Sequence, residues 1–414
     1  MSNKLNIAYL LWIEDLYKNP IIKSQVIEVL KGIKKCWKGK NLYLISFQSF
    51  LNIIWRKRKE FALIKKNLSQ KDIHLIIVPV FTTPFTNWFF AKWFIIPPIF
   101  LQTFPALLLI SIFKKIQVLH CRSYPITLAA ITVKKFRRIK VIFDPRSPFP
   151  EECVTANRWS YNSLSYKIWK CLEKIYLRES DITISIANTY VKHFKNISPN
   201  SRFIIIPNNV DVISFRLDKK FRNQVRLNYG IERDEIVFCY CGSLGNHWNN
   251  PEIYAKLLIR LRNLDVKYCF LFITPNINKL KEIFEQYSIK PKEYIVVSAD
   301  IEDVPKYLSA VDFGLNLMEK PDIRMSVKIV KYLSMGLPII INSNVLGAKE
   351  IIDQYDVGFV INDLESINLK EIKNLIENII QNKSKLSLIC RNVACENFST
   401  EKVAMKYEEM YSNL

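Results

Sequence analysis

Short apolar runs alternate with longer amphipathic segments along most of this chain of 414 residues. In the first half the apolar runs are LNIAYLLWI, LYLISF, IHLIIVPVF, VLHCRS, KVIFDPR, SDITISIA and RFIIIPNNV. A second series follows, with IVFCYCGSL, YCFLFIT, YIVVSA, DFGLNLM, PIIIN and VGFVI. Helix-like segments such as IIKSQVIEVLKGIKK separate the runs. The alternation predicts an α/β fold with two doubly wound, Rossmann-like domains, each built on a parallel sheet.

The segment PNNVDVISF lies between the two series and has the turn chemistry of a linker. We predict a first domain at residues 1–210, a second at 211–398, and a C-terminal helix at 399–414 that returns to the first domain. Two domains of about 200 residues also suit a chain of this length. Ligands of doubly wound sheets bind at the carboxyl ends of strands, so the residues after each apolar run are the candidate site residues.

One apolar segment, WFFAKWFIIPPIFLQTFPALLLISIF at 88–113, interrupts the alternation. It is long enough to span a bilayer, but a single crossing would put two runs of one sheet on opposite sides of the membrane. Its three prolines are also expected to break a straight helix. A buried hairpin and an amphipathic segment in the headgroup region remain. We favour contact with an anionic membrane surface, helped by Lys92, Lys114 and Lys115.

The chain is strongly basic, with 60 Lys and Arg against 38 Asp and Glu and a net charge of +22. Such a charge attracts phosphates, but no zinc-finger or RNA-binding motif accompanies it, so we expect no nucleic-acid partner. Nine cysteines lack CxxC spacing and four histidines lack metal-ligand spacing. We therefore predict a reducing compartment and no bound metal. The first residues resemble a strand and not a signal peptide, which favours a cytoplasmic protein.

Several motifs occur in an order that is typical of one enzyme family. IPNNVD is followed by Phe215, by CGSLG at 241–245, by SVKIVKYLSMGLPIIIN at 326–342, by VGFVI and by FSTEKVAMKYEEMY. This ordered set resembles the family 4 glycosyltransferases, and HCRSY and DPRSPFPEE extend the resemblance into the first half. The resemblance implies the GT-B fold, in which two Rossmann-like domains face a central cleft. It also implies a nucleotide-sugar donor in the second domain, an acceptor in the first, no cofactor or essential metal, and retention of anomeric configuration.

The CGSLG turn is the first candidate donor contact. Gly242 and Gly245 allow backbone N–H groups to approach a diphosphate, Ser243 and Leu244 lie between them, and a helix is expected to begin near Asn250. An ordinary strand-to-helix turn is the alternative. Family members commonly have an Arg after the glycine and a Lys a few residues later. This chain has Ser243 and then NHWNN instead.

The helix that ends before Gly336 is the second candidate donor contact. In the family this helix carries two glutamates separated by seven residues, and the second binds ribose hydroxyls. Here those positions are Ile323 and Lys331. A lysine removes two acceptors and adds a donor, so the helix is expected to hold the diphosphate more than the ribose. The candidate ligands at its start are Arg324, Ser326, Lys328 and Lys331. Solvated lysines on an active or degenerate domain are the alternative.

The first domain offers three candidate catalytic residues. Arg122 follows a strand in HCRSY, where many relatives have a histidine that faces the donor sugar, and it can stabilise the departing phosphate or bind an anionic acceptor. Asp144 and Glu151 lie in DPRSPFPEE, where a carboxylate can orient the acceptor hydroxyl. The alternatives are a salt bridge of Arg122 and a pairing of Asp144 with Arg146. Glu173 is expected to support the fold.

We therefore predict a metal-independent, retaining hexosyltransferase, peripheral on the inner face of a bacterial cell membrane. It would move a sugar from a nucleotide-diphosphate sugar to a lipid-linked or surface-polysaccharide acceptor, as in lipopolysaccharide or capsule synthesis. Donor phosphate and electrostatics, not a protein nucleophile, would assist bond formation. One alternative is a nucleotide-sugar 2-epimerase, against which FSTEKVAMKYEEMY and the apolar segment argue. Another is a non-catalytic glycan- or partner-binding homologue, which the missing glutamates favour.

Overall fold

The computed structural model describes residues 5–37, 41–81, 92–245, 249–362, 364 and 368–414. The chain divides into two compact units. One comprises Met1–Pro207 and Val403–Leu414, and the other comprises Asn208–Lys402. Each unit contains one parallel sheet, which confirms the predicted fold class.

The first unit has a seven-stranded sheet in the order β3-β2-β1-β4-β5-β6-β7. Its strands are β1 (Asn6–Trp12), β2 (Asn41–Ser49), β3 (Ile73–Val80), β4 (Val118–Arg122), β5 (Lys140–Asp144), β6 (Ile182–Ser185) and β7 (Phe203–Ile205). Its helices are α1 (Pro20–Ile22), α2 (Glu28–Cys36), α3 (Arg58–Ser69), α4 (Ile96–Phe113), α5 (Thr127–Phe136), α6 (Phe149–Thr155), α7 (Leu164–Glu179) and α8 (Asn188–Ile197). Shorter turns of π- or 3₁₀-helix occupy Lys23–Ile27, Asn52–Arg56 and Trp93–Ile95.

The second unit has a six-stranded sheet in the order β10-β9-β8-β11-β12-β13. Its strands are β8 (Ile236–Cys241), β9 (Tyr268–Ile273), β10 (Tyr294–Val297), β11 (Phe313–Asn316), β12 (Ile339–Asn342) and β13 (Gly358–Ile361). Its helices are α9 (Lys219–Asn228), α10 (Pro251–Leu261), α11 (Ile277–Gln286), α12 (Val304–Leu308), α13 (Val327–Ser334), α14 (Leu346–Tyr355), α15 (Leu369–Gln381) and α16 (Lys383–Val393). A 3₁₀ turn, Pro291–Glu293, and a π-helical turn, Ala394–Phe398, complete it.

The central strands are buried along their whole length. All five residues of β4 are buried, as are the first five of β8. Strands of a parallel sheet lose water on both faces, and for this reason they appear in the sequence as continuous apolar runs. Polar side chains within such strands, as at the end of β4, are therefore informative about function.

Helix α4 differs from what its prolines predict. It is continuous, because Pro97 and Pro98 lie in its first turn, where no N–H donor is needed, while Pro105 is accommodated inside it. The prediction that prolines break this segment is therefore wrong, as is a hairpin at 93–113. Positions 88–91 of the predicted segment lie outside the described residues.

The two faces of α4 are both apolar, but only one is covered. The buried face includes Ile99 and Leu107 and packs against α5, whereas Leu101 on the opposite face is 70% exposed. Trp93–Phe113 is long and apolar enough to cross a membrane by length and composition, and 22% of its most apolar window is buried. An apolar helix face of this extent therefore remains in contact with solvent.

The last helix, α17 (Thr400–Ser412), begins in the second unit and continues in the first. Val403, Tyr407, Met410 and Tyr411 are buried in the hydrophobic core around β1 and β4. The ring of Tyr411 stacks on Trp37 with centroids 5.6 Å apart. Helix α17 therefore completes the core of the first unit.

Candidate functional site

The first candidate site lies at the carboxyl end of β8. The chain turns at Gly242, whose φ of 148° is rarely adopted by residues with a side chain. Tyr240 Oη donates to Ser243 O at 2.8 Å, and Leu244 N–H donates to Asn276 Oδ1 at 3.0 Å. The Leu244 side chain is buried in the core, whereas Ser243 is exposed. Of the predicted donor contacts Ser243 and Leu244, only Ser243 therefore has a side chain that a ligand can reach.

Helix α13 brings Lys328 against this turn. A Cβ atom on Gly242 would lie 3.4 Å from Lys328 Cε. The Lys328 ammonium donates to Asn249 Oδ1 at 3.1 Å and to Asn316 Oδ1 at 3.2 Å, and it lies 4.7 Å from the centroid of the Tyr240 ring. The glycine turn and the start of the helix therefore converge on one amine.

Tyr332 holds α13 on the sheet. Its hydroxyl accepts a hydrogen bond from Cys241 N–H at 2.8 Å and lies 3.3 Å from Cys239 O. Its ring covers Gly314 on β11, where an added Cβ would lie 2.3 Å from Tyr332 Cδ2. The distance from helix to sheet, and with it the position of Lys328, therefore depends on a glycine at 314.

Lys328 and Lys331 have no carboxylate partner within 4 Å among the described residues. Burial lowers the pKa of Lys328 to about 8 and also lowers the pKa of Lys331, because a charged amine loses hydration inside the protein. The Lys331 ammonium lies 5.2 Å from the centroid of the Phe215 ring. Two amines whose charge is not compensated attract an anion to this face of α13.

The other predicted donor contacts lie in different surroundings. Arg324 Nε donates to both carboxylate oxygens of Asp322, at 2.8 and 2.9 Å, so its charge is compensated. Ser326 precedes α13, and its hydroxyl makes no capping hydrogen bond. Gly336 has a φ of 72° and ends the helix against Ser387, whose Oγ would lie 2.3 Å from an added Cβ. Ser326 thus lies at the end of α13 that bears Lys328, and Gly336 lies beyond the last turn, which bears Lys331.

The second candidate site lies in the first unit, where Arg122 and Asp144 are paired in register at the carboxyl ends of β4 and β5. They are 7% and 0% exposed. Arg122 Nη1 and Asp144 Oδ1 have no hydrogen-bond partner among the described residues. Arg146 Nη1 lies 3.7 Å from Asp144 Oδ1, so the ion pair considered from the sequence is present. Two buried polar atoms at these strand ends therefore lack the partner that burial normally requires.

Asp144 is held as a carboxylate. Burial alone would raise its pKa, but Arg146, His120 and Arg122 together bring the pKa of Asp144 below its ordinary value. Ser123, the first residue after β4, and Arg146, the second after β5, have φ values of 77° and 60°. Left-handed backbone in non-glycine residues is uncommon and concentrates at functional sites.

Sequence reasoning missed His120 as a member of this site. His120 is 0% exposed, with Nδ1 2.6 Å from Tyr411 Oη and Nε2 3.4 Å from Asp144 Oδ2. Burial lowers its pKa, which favours the neutral imidazole. The available signal was strand periodicity, because residues 120 and 122 of one strand point to the same face.

Glu151 belongs to another cluster, and no described contact joins it to Arg122 or Asp144. Its Oε1 accepts hydrogen bonds from Lys170 at 2.7 Å and from Tyr166 at 3.1 Å. Its Oε2 lies 4.0 Å from His193 Nε2. The structure therefore divides the three predicted catalytic residues between two groups.

Glu173, on α7, forms the buried end of the Glu151 cluster. Tyr124 Oη donates to its Oε1 at 2.5 Å, and Lys170 donates to its Oε2. Burial raises the pKa of Glu173 to about 7, although Lys170 opposes this shift. Ligand atoms of Glu151, Glu173 and His193 lie within 4.8 Å of one another, as a metal ion would require. The ammonium of Lys170 already contacts both carboxylates, so this group is an ion-pair cluster.

The fold of the chain is the GT-B fold of two-domain glycosyltransferases. A glycosyltransferase from Rickettsia africae has a TM-score of 0.69 and 15% identity, with 99% of this chain and 98% of that chain covered. HepE of Anabaena in complex with UDP has a TM-score of 0.68 and 13% identity, covering 99% and 100%. WaaG, a glycosyltransferase involved in lipopolysaccharide biosynthesis, has a TM-score of 0.61 and 11% identity, covering 98% and 99%.

Residues 285–394 match the family model described as "Glucosyltransferase 3-like, C-terminal domain". This segment includes α13 and both of its half-buried lysines. Comparison with curated protein sequences finds no match. Together, the family model and the solved structures confirm the resemblance to GT-B glycosyltransferases that the sequence motifs indicate.

Proposed function

We propose that this protein is a metal-independent, retaining glycosyltransferase that binds a nucleotide-diphosphate sugar at α13 of the second unit. One observation carries the proposal: Lys328 and Lys331 are half-buried beside the CGSLG turn without a compensating carboxylate among the described residues. Burying an uncompensated charge is costly, and a diphosphate would supply the missing counter-charge. The match of this segment to a glucosyltransferase family model and the UDP bound by HepE support the same ligand class.

The chemistry follows from where charge develops. When the bond between sugar and diphosphate breaks, negative charge grows on the departing phosphate, and amines held in place beforehand stabilise it. Lys328 is held by two amide oxygens, and Lys331 lies one turn further along the helix. The donor phosphate itself would assist the acceptor hydroxyl, because neither the motifs nor the described residues of the second unit supply a nucleophile.

In the first unit we propose Arg122 and Asp144 as the residues that act on the acceptor. The ionised Asp144 has an unfilled oxygen that can accept a hydrogen bond from a hydroxyl, and Arg122 has an unfilled nitrogen that can bind an anionic group. Glu151, fixed by Lys170 and Tyr166, is proposed as a further acceptor contact. A lipid-linked or surface-polysaccharide acceptor, as in lipopolysaccharide or capsule synthesis, suits these groups.

We propose that the enzyme works as a cytoplasmic, peripheral protein on the inner face of the cell membrane. The exposed face of α4 is apolar, and the ring of Phe104 lies 5.9 Å from that of Phe136, which is 69% exposed. Next to Phe136 is an open groove of about 410 Å³. The basic residues that line the groove are Lys134, Lys135, Arg137, Arg138 and Lys140. Apolar area and adjacent positive charge are the two requirements for binding to anionic lipid.

The test of the donor site is a thermal-shift and calorimetric screen with UDP, GDP and TDP and their sugars. A ligand at one hundred times its dissociation constant should raise the free energy of unfolding by about 2.7 kcal/mol. Lys328→Ala should weaken diphosphate binding by about 1.5 to 3 kcal/mol if the amine makes a charge-assisted hydrogen bond. Exposed Lys320→Ala, four residues beyond the end of β11, is the matched control and should bind normally. Binding that is unchanged in Lys328→Ala and Lys331→Ala would remove α13 from the donor site.

Turnover separates an enzyme from a binding homologue. Asp144→Asn and Arg122→Ala should each lower transfer of labelled sugar to a bacterial lipid extract by about one hundredfold or more, with little change in donor affinity. Equal losses of stability and activity would instead assign these residues a structural role. Tight donor binding without transfer or hydrolysis would favour a non-catalytic homologue.

A further inference from the structure

Lys328 is surrounded by groups that bind an ammonium without neutralising it. The hydrogen-bond partners are the neutral amides Asn249 and Asn316, and the nearest ring is that of Tyr240. Asn316 is 0% exposed, and its Nδ2 has no partner among the described residues. The amide thus gives its oxygen to Lys328 and leaves a buried donor unfilled beside it.

The charged and titratable groups on the elements around Lys328 do not neutralise its ammonium. On β8, burial raises the pKa of the Cys241 thiol, which keeps it neutral. On α13, Lys331 is a second cation, and the Tyr332 hydroxyl is bonded to backbone. Before the helix, Asp322 is engaged by Arg324. No described group therefore supplies Lys328 with a free negative charge.

We propose that the donor diphosphate is the missing counter-ion of Lys328, so that donor binding brings a proton onto this amine in mildly alkaline solution. The inference rests on the donor site proposed above and adds a proton to its binding equilibrium. Asn316 acts as a positioning residue: its oxygen directs the Lys328 ammonium, and its unfilled Nδ2 is available to a second phosphate oxygen.

The number of protons taken up on binding follows from the pKa of Lys328 in the protein without ligand. Lys328 has a lowered pKa of about 8, so about half of the molecules carry a neutral amine at pH 8. A bound diphosphate next to the amine favours its charged form and raises that pKa. Binding at pH 8 should then take up about half a proton, and affinity should fall about tenfold between pH 7 and pH 9. The diphosphate itself is almost fully ionised across this range.

The test is calorimetric titration of the intact protein with UDP, GDP and TDP at pH 7, 8 and 9, each in two buffers of different ionisation enthalpy. We expect an uptake of about half a proton at pH 8 that becomes small at pH 7. Lys328→Arg keeps its charge at every pH and should bind with a flat pH profile. Asn316→Asp supplies a carboxylate to the amine and should abolish both the uptake and the pH dependence.

A second measurement needs no ligand. Between pH 8 and 10.5 the folded protein holds fewer protons on Lys328 than the unfolded chain, so stability rises with pH through this window. Lys328→Met lacks this contribution and should melt above the wild type at pH 7 and approach it at pH 10. A melting difference that does not vary with pH would overturn the inference. Nucleotide binding without proton uptake at pH 8 would also overturn it but leave the donor site intact, whereas no binding of any nucleotide at pH 7 would overturn both.

Discussion

At the scale of single residues, the candidate sites consist of buried or half-buried polar groups that the protein leaves incompletely paired. Lys328 lacks a counter-charge, and Arg122 and Asp144 each lack one hydrogen bond. A folded protein normally satisfies such groups, because each unfilled one costs stability. Arg122 and Asp144 lie at the carboxyl ends of strands, and Lys328 lies beside the end of β8. Doubly wound sheets bind ligands at these ends.

Glu173 gives a pH prediction at this scale. Its pKa is raised to about 7 in the folded protein by burial, so the folded state binds more protons than the unfolded chain between pH 4.5 and pH 7. Stability should therefore fall as the pH rises through this window. Glu173→Gln cannot ionise, and its free energy of unfolding relative to the wild type should rise by up to about 3 kcal/mol from pH 4.5 to pH 7.5.

The measurement is urea unfolding of both proteins at several pH values. Glu179→Gln, a change at a partly exposed position of the same helix, is the control and should show a smaller dependence on pH. A constant difference between Glu173→Gln and the wild type would mean that Glu173 is ionised throughout and only balances Lys170.

At the scale of elements, the position of α13 on the sheet determines where Lys328 and Lys331 place their ammonium groups. Tyr332 packs on Gly314 so closely that a Cβ would lie 2.3 Å from the ring. The same helix bears Lys328 at its start, and a helix is rigid over so short a length. A change under the middle of α13 should therefore alter the proposed donor site.

Gly314→Ala tests this connection. The new methyl group overpacks the interface, so we expect a loss of about 1 to 3 kcal/mol in the free energy of unfolding and weaker nucleotide binding. Combining it with Tyr332→Ala removes the ring that the methyl group meets. The double variant should then be less destabilised than the sum of the two single variants. Strict additivity would show that the methyl group is accommodated elsewhere.

Helix α4 supports a second prediction at this scale. Leu101→Asp changes a side chain that is 70% exposed, so it should release the protein from anionic vesicles without lowering its melting temperature. Leu107→Asp is the matched control, since the same change at a residue that is 1% exposed should unfold the first unit. Flotation with phosphatidylglycerol vesicles, at low and high salt, measures binding. Vesicle binding by Leu101→Asp that equals the wild type would exclude the α4 face.

Sequence patterns predict elements better than they predict side-chain partners. The apolar runs identify both sheets because buried parallel strands are apolar on both faces. The continuity of α4 was missed because two prolines fall in its first turn, a position that depends on where the helix begins. Glu151 was grouped with Asp144 because they share one loop, yet its partners, Lys170 and His193, come from distant helices. Such contacts depend on which helices pack together, and the spacing of residues along the chain does not reveal this.

At the scale of the whole molecule, each unit has its own sheet and core, but the chain does not build them one after the other. The first unit takes its last core residues from Val403–Leu414. Tyr411 stacks on Trp37 and contacts His120 through its hydroxyl. The C-terminal helix therefore links the stability of the first unit to the geometry of its candidate site.

Tyr411→Ala should lower the free energy of unfolding of the first unit by about 3 to 5 kcal/mol, as expected for removal of a buried aromatic ring. All eight tryptophans except Trp248 lie before Pro207, so tryptophan fluorescence during urea unfolding reports mainly on the first unit. Nucleotide binding by calorimetry reports on the second unit and should be retained. Loss of nucleotide binding together with the fluorescence transition would show that the two units unfold as one.

The place of α17 at the end of the sequence also affects folding during synthesis, because a ribosome makes the chain from its N-terminus. When Pro207 has emerged, the first unit has all its strands but lacks Tyr407, Met410 and Tyr411, so the core around β1 and β4 is still open to water. The whole second unit must be translated before that gap can close. The nascent chain therefore carries an unfinished first domain for the time needed to add about 200 residues, roughly 10 to 40 s at typical elongation rates. During that time its open core is a surface that chaperones bind.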